Sequence, residues 1–503
     1  MWLTGGGVYD GPIVAREALL VRICYPVLDA LARKLTKMAS AITSSTIPVS
    51  RILADFCATA TFDRLPKQVV ADAERAVLDW LGSARAGALE APARMAQSVI
   101  AKLGQSNDST VFSAGRSSAA GAALANGVAS HLLELDDVHK ASTLHPGAPI
   151  IPAALAVSER EHSDGKSFLL AVALGYEAAL RIGEAVNPDH YRFWHPTGTA
   201  ATFGAAVAAG SLLKLNVAQM LDALGSAGTQ ASGLWEFNAD GTMSKHLHPG
   251  KAAFNGILAA DLARAGFTGA SRILEGERGF FRATTQTYDP TRITDALGDK
   301  WKISENCFKL YSCCGHTHTA VDTALAVRAK LGWKGREALD QIREIEVSTY
   351  QSGYQIVKEK NPPTAYRAMF SMAYAVAAAL LEGRVDLQQF SPERFDGHGV
   401  SEPSIAALLP RLRIVVSDEL SALYPKIWPS RFRVTLMDGA VFNAGTDYPR
   451  GSPENPVSTE GLREKFQSLI EPRFGTEVAQ NALRAVDSII DAPDMATVFR
   501  TFG

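Results

Sequence analysis

The sequence predicts a mainly α-helical protein in which a large helical domain is interrupted by a smaller α+β domain. Apolar and small residues recur at helical spacing between residues 50 and 265. Strand-like alternation of apolar and polar residues begins near residue 340, and helical patterns return after residue 457. The chain of 503 residues also exceeds the roughly 250–300 residues at which a single hydrophobic core stops growing.

The first clear helix is predicted in RLPKQVVADAERAVLDWLG, residues 64–82. Pro66 suits the first turn of a helix, and Val70 and Val77 recur at helical spacing. Glycine is common just after the last turn of a helix, so we expect Gly82 to end it.

The helices predicted next are rich in alanine and glycine. They are SSAAGAALANGVASHLLEL, PIIPAALAVSER, SFLLAVALGYEAALRIG and GTAATFGAAVAAGSLLKL. Small side chains let helix backbones approach closely. We therefore interpret these residues as packing positions in a tight helical bundle.

The α+β domain is predicted from a change in periodicity. Strands are predicted in IREIEVSTY (342–350) and RLRIVVSD (411–418), and a hairpin in RFRVTLMDGAVFNAG (431–445), whose Asp-Gly pair suits a tight turn. The segment MFSMAYAVAAALLEG (369–383) predicts a helix between the first two strands.

These patterns divide the chain into four parts. Residues 1–45 form an N-terminal extension, predicted to be flexible because of its Ser/Thr-rich end, and 46–308 form the helical domain. Residues 309–445 form the α+β domain, and 446–503 return to helix and complete the helical domain. The second domain is thus predicted to be an insertion in the first.

Composition excludes several classes of function. A net charge of −2 offers no basic field for nucleic acid or an anionic membrane. No segment reaches the roughly 18 consecutive apolar residues of a membrane-spanning helix. Five cysteines are too few for a secreted disulfide scaffold, so a reducing, cytoplasmic location is expected. A mitochondrial location is the alternative if translation starts at Met1 rather than Met38 and the extension acts in targeting.

Three segments are predicted to be loops that each enter a small-residue helix; all carry histidines, two of them together with acidic or basic residues. In HLLELDDVHKASTLHPGAP the residues are Glu134, Asp136, Asp137, His139 and His145; in FWHPTG it is His195; in SKHLHPGKAAFNG they are Lys245, His246, His248 and Lys251. Imidazole and carboxyl groups transfer protons, and lysines hold carboxylates. The three segments together indicate a site for a small carboxylic acid.

The segment CFKLYSCCGHTHTAVD (307–322) admits three interpretations. Cys313, Cys314, His316 and His318 are potential zinc ligands, but no second Cys or His pair lies at the usual ligand spacing. A redox pair is disfavoured because adjacent cysteines form strained disulfides. We therefore expect the cysteines to be buried residues in the wall of a pocket, beside a lysine.

The order ELDD…H…HPG, HPTGTAATFGAA, K-H-x-H-P-G and K-L-Y-x-C-C-G-x-x-H resembles the MmgE/PrpD family. That family contains 2-methylcitrate dehydratase, cis-aconitate decarboxylase and iminodisuccinate epimerase. The resemblance runs from about residue 50 to the C-terminus. It implies a helical domain carrying a smaller α+β lid domain, a homodimer, and a site between the domains that needs no metal or cofactor.

The resemblance also assigns residues to the site. The implied catalytic residues are His145, His195, Lys245 and Asp137, and the implied substrate-binding residues are Glu134, His248, Lys309, Cys314 and Tyr374. The choice of proton donor between His145 and His195 stays open.

The implied activity is that of a lyase on a small di- or tricarboxylic acid. The sequences ELDD and KLYSCCG are shared with one branch of cis-aconitate decarboxylases, which favours decarboxylation. Many relatives have Asp and Thr where this chain has Glu134 and Val138, and animal decarboxylases have His where it has Cys314. The alternatives are dehydration of 2-methylcitrate or a longer alkylcitrate, epimerisation, and a carboxylate-binding protein without activity.

Overall fold

The computed structural model describes residues 47–104 and 106–502, and helices dominate this part of the chain. The described helices of at least ten residues are α1 (Val49–Thr59), α2 (Lys67–Gly87), α3 (Ala91–Ile100), α4 (Ala119–Ser130), α5 (Gly147–Arg160), α6 (Gly165–Val186), α7 (Ala200–Leu212), α8 (Val217–Gly228), α9 (Ser244–Arg264), α10 (His318–Lys330), α11 (Met372–Glu382), α12 (Thr459–Phe474) and α13 (Thr476–Asp487). None of the described helices is long and apolar enough to cross a membrane. The predicted mainly α class is confirmed.

Several helices begin at side chains that cap them. Ser118, Asp164 and Ser458 each accept a hydrogen bond from a backbone N–H in the first turn of α4, α6 and α12. Asn216 and Gln219 form a reciprocal capping box at the start of α8. These caps satisfy N–H groups that have no partner within the helix, and each stabilises its helix by about 1 kcal/mol.

Small residues let the central helices pack closely, as the sequence predicts. At the contact of α6 with α7, a Cβ atom on Gly204 would lie only 2.5 Å from the carbonyl oxygen of Gly175. A Cβ atom on Gly175 would in turn lie 2.6 Å from Ile150 in α5. Neither position has room for a larger side chain unless the helices move apart.

The prediction that Gly82 ends the first helix is wrong. Helix α2 continues to Gly87, and Gly82 lies in its interior against Phe466 and Leu469 of α12. A glycine at this point of the sequence suggests a helix end, but Gly82 instead makes room for a residue 384 positions later in the chain. A Cβ atom here would lie 3.1 Å from the Phe466 ring.

Two helix-interior glycines allow a matched test of packing. We expect Gly204→Ala to lower the free energy of unfolding by about 1–3 kcal/mol, because the new methyl group meets rigid backbone. Gly82→Ala meets a side chain that can shift, and alanine gains up to about 1 kcal/mol in helix propensity. Chemical denaturation of both variants gives the comparison, and equal effects at the two positions would contradict this account.

The strands form two sheets. A two-stranded antiparallel ribbon joins β1 (Ser109–Thr110) and β2 (Arg116–Ser117). The larger sheet contains β3 (Ile342–Thr349), β4 (Leu412–Val416), β5 (Ser430–Leu436) and β6 (Val441–Thr446) in the order β4-β3-β5-β6. Strands β3 and β4 are parallel, and β5 pairs antiparallel with both β3 and β6. The predicted strands, the hairpin and the helix between β3 and β4 are confirmed.

The apolar residues gather in two large clusters. One cluster draws on residues 53–308 and on 457–502, and helix α12 packs against α2. The other draws on residues 311–436. The division into a helical and an α+β domain, with its boundaries, stays a prediction, and the extension predicted at 1–45 lies outside the described residues.

Candidate active site

A partly open cavity brings several of the predicted residues together, with an empty space of about 410 Å³ that includes its opening to solvent. Its lining includes side chains from all four sequence segments discussed above: Glu134, His145, His195, Lys245 and Cys314. The remaining members of the predicted set lie behind these side chains or elsewhere in the fold.

Glu134 lies between two lysines at the charged end of the cavity. Its carboxylate contacts the Nζ of Lys245, and its second oxygen lies 3.3 Å from the Nζ of Lys309. All three side chains are almost completely buried. Burial alone would raise the pKa of Glu134, but the two lysines hold it well below its usual range. Two ammonium groups and one carboxylate leave this trio with a single positive charge.

The backbone of Glu134 is strained in a way that serves this arrangement. Its φ is +53°, in the left-handed region that residues other than glycine adopt at a cost of about 1–3 kcal/mol. In this conformation the loop after α4 directs the carboxylate of Glu134 toward the two lysines. Lys309 does not line the cavity itself and acts on it through Glu134.

His145 has a fixed tautomer. Its Nδ1 donates a hydrogen bond to the carbonyl oxygen of Asp137 at 2.7 Å, so a neutral His145 keeps an unprotonated Nε2. Burial lowers the pKa of His145 to about 3, against the opposing influence of Asp136. The free protein therefore holds His145 neutral at physiological pH.

Asp137 lies behind His145 and does not line the cavity, in contrast to the catalytic contact predicted for it. Its carboxyl group accepts hydrogen bonds from the Tyr176 hydroxyl at 2.6 Å, the Asn306 amide at 2.7 Å and the Gly147 N–H at 2.9 Å. Burial raises the pKa of Asp137 to about 7. This geometry makes Asp137 an anchor for the loop that carries His145.

His131 packs against the histidines of the cavity, although it is not among the residues predicted from the sequence. Its Nδ1 lies 2.6 Å from Asp136, and its ring centre lies 4.8 Å from that of His145 and 5.7 Å from that of His195. Burial would raise the pKa of Asp136, but His131 and His145 hold it below its usual range. The sequence feature that could have identified His131 is its position at the start of the acid-rich segment, five residues before Asp136.

His195 pairs with His248 rather than with an acid. Their Nδ1 atoms lie 3.0 Å apart, so one ring donates to the other. Burial lowers the pKa of both, that of His248 to about 3. His195 lines the cavity, whereas His248 lies behind it.

The segment from 244 to 250 is helical, not a loop before a helix as predicted. Helix α9 begins at Ser244 and contains Lys245, His246 and His248 in its first turns, with Pro249 inside it. Pro249 is the sixth residue of the helix, so it removes the N–H that would donate to the carbonyl of Lys245. The helix places Lys245 on a rigid element.

Lys251, one helical turn further along, holds the loops around His195. Its ammonium donates to the carbonyl oxygens of Gly198 at 3.2 Å and Ser232 at 2.6 Å. The backbone N–H of His195 donates to the carbonyl of Gly233 at 2.9 Å. Burial lowers the pKa of Lys251 to about 8.

The cysteine-rich segment contributes a neutral wall. Cys314 lines the cavity, and Cys313 lies 3.0 Å from the Thr317 hydroxyl. His316 Nδ1 lies 2.6 Å from the Tyr350 hydroxyl, and His318 Nε2 donates to the Cys313 carbonyl. Burial raises the pKa of both thiols, that of Cys313 to about 12, which disfavours a nucleophilic role. The side chains of Cys313, His316 and His318 are thus engaged by three different partners.

Tyr374 lies away from the cavity, which corrects its predicted place in the pocket. Its hydroxyl donates to the carbonyl of Gln389, and its ring packs against Phe390 and Phe395. Helix α11 directs it into the second apolar cluster. The aromatic residues that do line the cavity come from other loops: Tyr191, Trp235, Phe370 and Trp428.

Two groups among the described residues have the composition of a metal site. In the first, His131 and Asp136 are hydrogen bonded to each other, and His145 uses its Nδ1 on a carbonyl. In the second, made of His139, Glu184 and Glu305, the ammonium of Lys302 already lies 2.9 Å from Glu184 and 3.1 Å from Glu305. In both groups some of the atoms that would bind a cation are therefore engaged by internal partners.

Fold and site together define a mainly helical protein with a mixed sheet and a cavity lined by a lysine, a glutamate and histidines. A model of the MmgE/PrpD N-terminal domain matches residues 51–293, and a model of the MmgE/PrpD C-terminal domain matches residues 311–490. The chain belongs to the MmgE/PrpD family.

Its similarity to known relatives extends over most of the chain. A cis-aconitate decarboxylase-like protein of Aspergillus oryzae is 29% identical over 397 residues, covering 75% of this chain and 80% of that protein. The cis-aconitate decarboxylase of Homo sapiens is 29% identical over 451 residues, covering 86% and 90%. A 2-methylcitrate dehydratase-like protein of Aspergillus oryzae is 26% identical over 254 residues, covering 47% and 48%.

Proposed function

We propose that the chain is a lyase that removes CO₂ from cis-aconitate or a close derivative of it. The observation that carries the proposal is the cavity lined by Lys245, Glu134 and neutral histidines, with Lys309 paired to Glu134 behind it. The similarity to cis-aconitate decarboxylases supports the choice of reaction.

The reaction requires a carbanion to be stabilised and then protonated. In cis-aconitate the departing carboxylate is carried by the CH₂ group next to the double bond. Breaking its C–C bond releases CO₂ and leaves the electron pair on the former CH₂ carbon. That pair is delocalised through the double bond toward the carboxylate at the far end. Addition of a proton to the far carbon gives an unsaturated dicarboxylate.

The lysines would bind the substrate and stabilise the developing charge. Lys245 reaches the cavity directly, and Lys309 lies beside it on the other oxygen of Glu134. In a water-poor cavity, fixed cations stabilise a growing negative charge more strongly than they would in bulk water. The lysines would act mainly on the carboxylate that the substrate retains, because the negative charge of the carbanion is delocalised into it.

His145 would deliver the proton. It is neutral in the free protein, but a bound polycarboxylate places negative charges beside it and raises the pKa of its imidazole. Its Nδ1 stays on the Asp137 carbonyl, so the added proton resides on Nε2. Substrate binding is therefore coupled to the uptake of one proton.

This coupling predicts a pH dependence. The pKa of free His145 is about 3, so above pH 5 its protonated fraction falls tenfold with each pH unit. Because the active complex carries imidazolium, we expect kcat/KM to fall about tenfold per unit between pH 6.5 and 8.5. We expect kcat to fall only above the higher pKa of the complex. Steady-state pH profiles measure both, and a flat kcat/KM over this range would remove His145 as the proton donor.

A direct assay tests the reaction class. The purified protein is incubated with cis-aconitate and, separately, with 2-methylcitrate, and proton NMR and released CO₂ are followed. We expect CO₂ and an unsaturated dicarboxylate from cis-aconitate, with one deuterium at carbon when the solvent is D₂O. The proposed site uses no metal or cofactor, so activity should survive EDTA and extensive dialysis.

One observation favours dehydration as the second candidate. A neutral His145 with a free Nε2 is suited to remove a proton next to a carboxylate. The weaker similarity to a 2-methylcitrate dehydratase-like protein agrees with this chemistry. Water loss from 2-methylcitrate without CO₂ release would select it. Proton exchange with inversion alone would indicate an epimerase, and binding without turnover a carboxylate-binding protein.

A homodimer in the cytoplasm completes the proposal. The family resemblance supports the dimer, and the few cysteines, of which the four described ones are all free, support a reducing compartment. Light scattering on the purified chain tests the first, and fractionation of cells expressing the tagged protein tests the second.

A further inference from the structure

A second space adjoins the catalytic cavity and is of a different chemical character. This vestibule, of about 1140 Å³ and open to solvent, shares Tyr191, Trp235 and Ile356 with the cavity lining. Its other apolar walls are Pro188, Phe193 and Tyr424. Three side chains thus stand between the charged cavity and an aromatic chamber.

The vestibule offers a carboxylate one cation and the neutral polar side chains of Asn238, Ser352 and Gln355. Among the described residues that line the vestibule, Arg192 is the charged one, and its side chain is 64% exposed. The guanidinium lies 3.5 Å from Asp189 and over the Phe193 ring at 5.6 Å. An exposed, already paired cation binds an anion weakly. Apolar surface, in contrast, gains from being covered, and Phe193 is 62% exposed.

A separate apolar groove is the other space in which a substituent of the substrate could lie. It is lined by residues that include Leu133, Met243, Tyr366 and Phe390. Among the described residues it shares no lining side chain with the catalytic cavity. A substituent on a substrate bound in the cavity reaches the vestibule before it reaches the groove. The reason is that the vestibule shares wall residues with the cavity and the groove shares none.

We propose that the natural substrate carries a hydrocarbon substituent that lies in the vestibule while a carboxylate binds at Lys245, beside the ion pair of Glu134 and Lys309. The substrate class is an alkyl-substituted cis-aconitate, with the chain passing between Tyr191, Trp235 and Ile356. This inference rests on the proposed function and adds the identity of the substituent to it.

The test compares cis-aconitate with derivatives that carry linear chains of two, four and six carbons. Burial of a methylene group in an apolar site strengthens binding about fourfold, so we expect KM to fall by about two- to fourfold per carbon. The corresponding saturated tricarboxylates cannot react in the same way, and calorimetry with them gives the chain-length dependence of binding without turnover.

Turnover of cis-aconitate with a KM that is flat or rises with chain length overturns the inference and leaves the proposed function standing. Absence of CO₂ release from every compound, with saturated analogues still bound more tightly as the chain lengthens, overturns the reaction and supports the vestibule.

Two exposed phenylalanines provide a matched pair of variants. Phe193→Ala removes a vestibule wall, whereas Phe267→Ala changes a comparably exposed ring, 58% against 62%, that is not part of it. We expect Phe193→Ala to reduce the KM advantage of the six-carbon derivative over cis-aconitate by about three- to tenfold, and Phe267→Ala to leave it unchanged. An equal loss of kcat/KM for substituted and unsubstituted substrates in Phe193→Ala would identify the vestibule as an access route only, and would overturn the inference.

Discussion

Replacing Lys245 by alanine is expected to lower kcat/KM for CO₂ release by about 10²–10³-fold, the usual loss when one preorganised electrostatic group is removed. Lys245 is the lysine whose side chain lines the cavity, so its loss removes both a contact to substrate and stabilisation of the carbanion. The remaining pair of Glu134 and Lys309 is neutral, and an anion then gains no net attraction.

The fold of the Lys245→Ala variant is expected to survive. Glu134 keeps Lys309 at 3.3 Å, so no buried carboxylate is left without a counter-ion. Circular dichroism and the Tm should stay near those of the parent protein. Lys330→Ala, at an exposed helix end, is the control and should keep full activity. Near-normal turnover in Lys245→Ala would place the substrate elsewhere.

Replacing His145 by glutamine is expected to lower kcat by about 10²–10⁴-fold, the range that general acid–base catalysis contributes. Glutamine can still donate to the Asp137 carbonyl, but it cannot carry a proton to carbon. Because both lysines remain, KM should change by only a few-fold. The variant should also lose the steep pH dependence of kcat/KM.

The outcome of this substitution separates three roles for the histidines. Loss of binding with a normal rate at saturation would make His145 a positioning residue and transfer the proton to His195. Loss of neither would exclude this loop from the reaction. His162→Gln is the control, since His162 is an exposed histidine paired with Asp494 on the surface and should have no effect.

Much of the site was predictable because short motifs in a fixed order carry the chemistry. Glu134, His145, His195 and Lys245 come from three segments between residues 131 and 256, and the structure brings all four to one cavity. The strands and the hairpin were predictable from period-two alternation, which depends on local burial alone. The family itself followed from the same motifs and is confirmed.

What the sequence did not reveal depends on contacts between distant segments. Gly82 lies inside a helix because Phe466 packs there, and no local pattern records that contact. Tyr374 has the motif of a pocket residue, but helix α11 directs its ring toward Phe390 and Phe395. His131 gains its place from Asp136 and from the two histidine rings that pack around it.

The carboxylate of Glu134 also bears on how product leaves. Loss of CO₂ converts a trianion into a dianion, so the product holds the two lysines less strongly than the substrate did. Glu134 is tethered beside both ammonium groups and competes for them at a high effective concentration. In the proposed reaction it would yield to the substrate and displace the product. Glu134 would then be an internal competitor that sets a lower limit on KM and helps to clear the cavity for the next turnover.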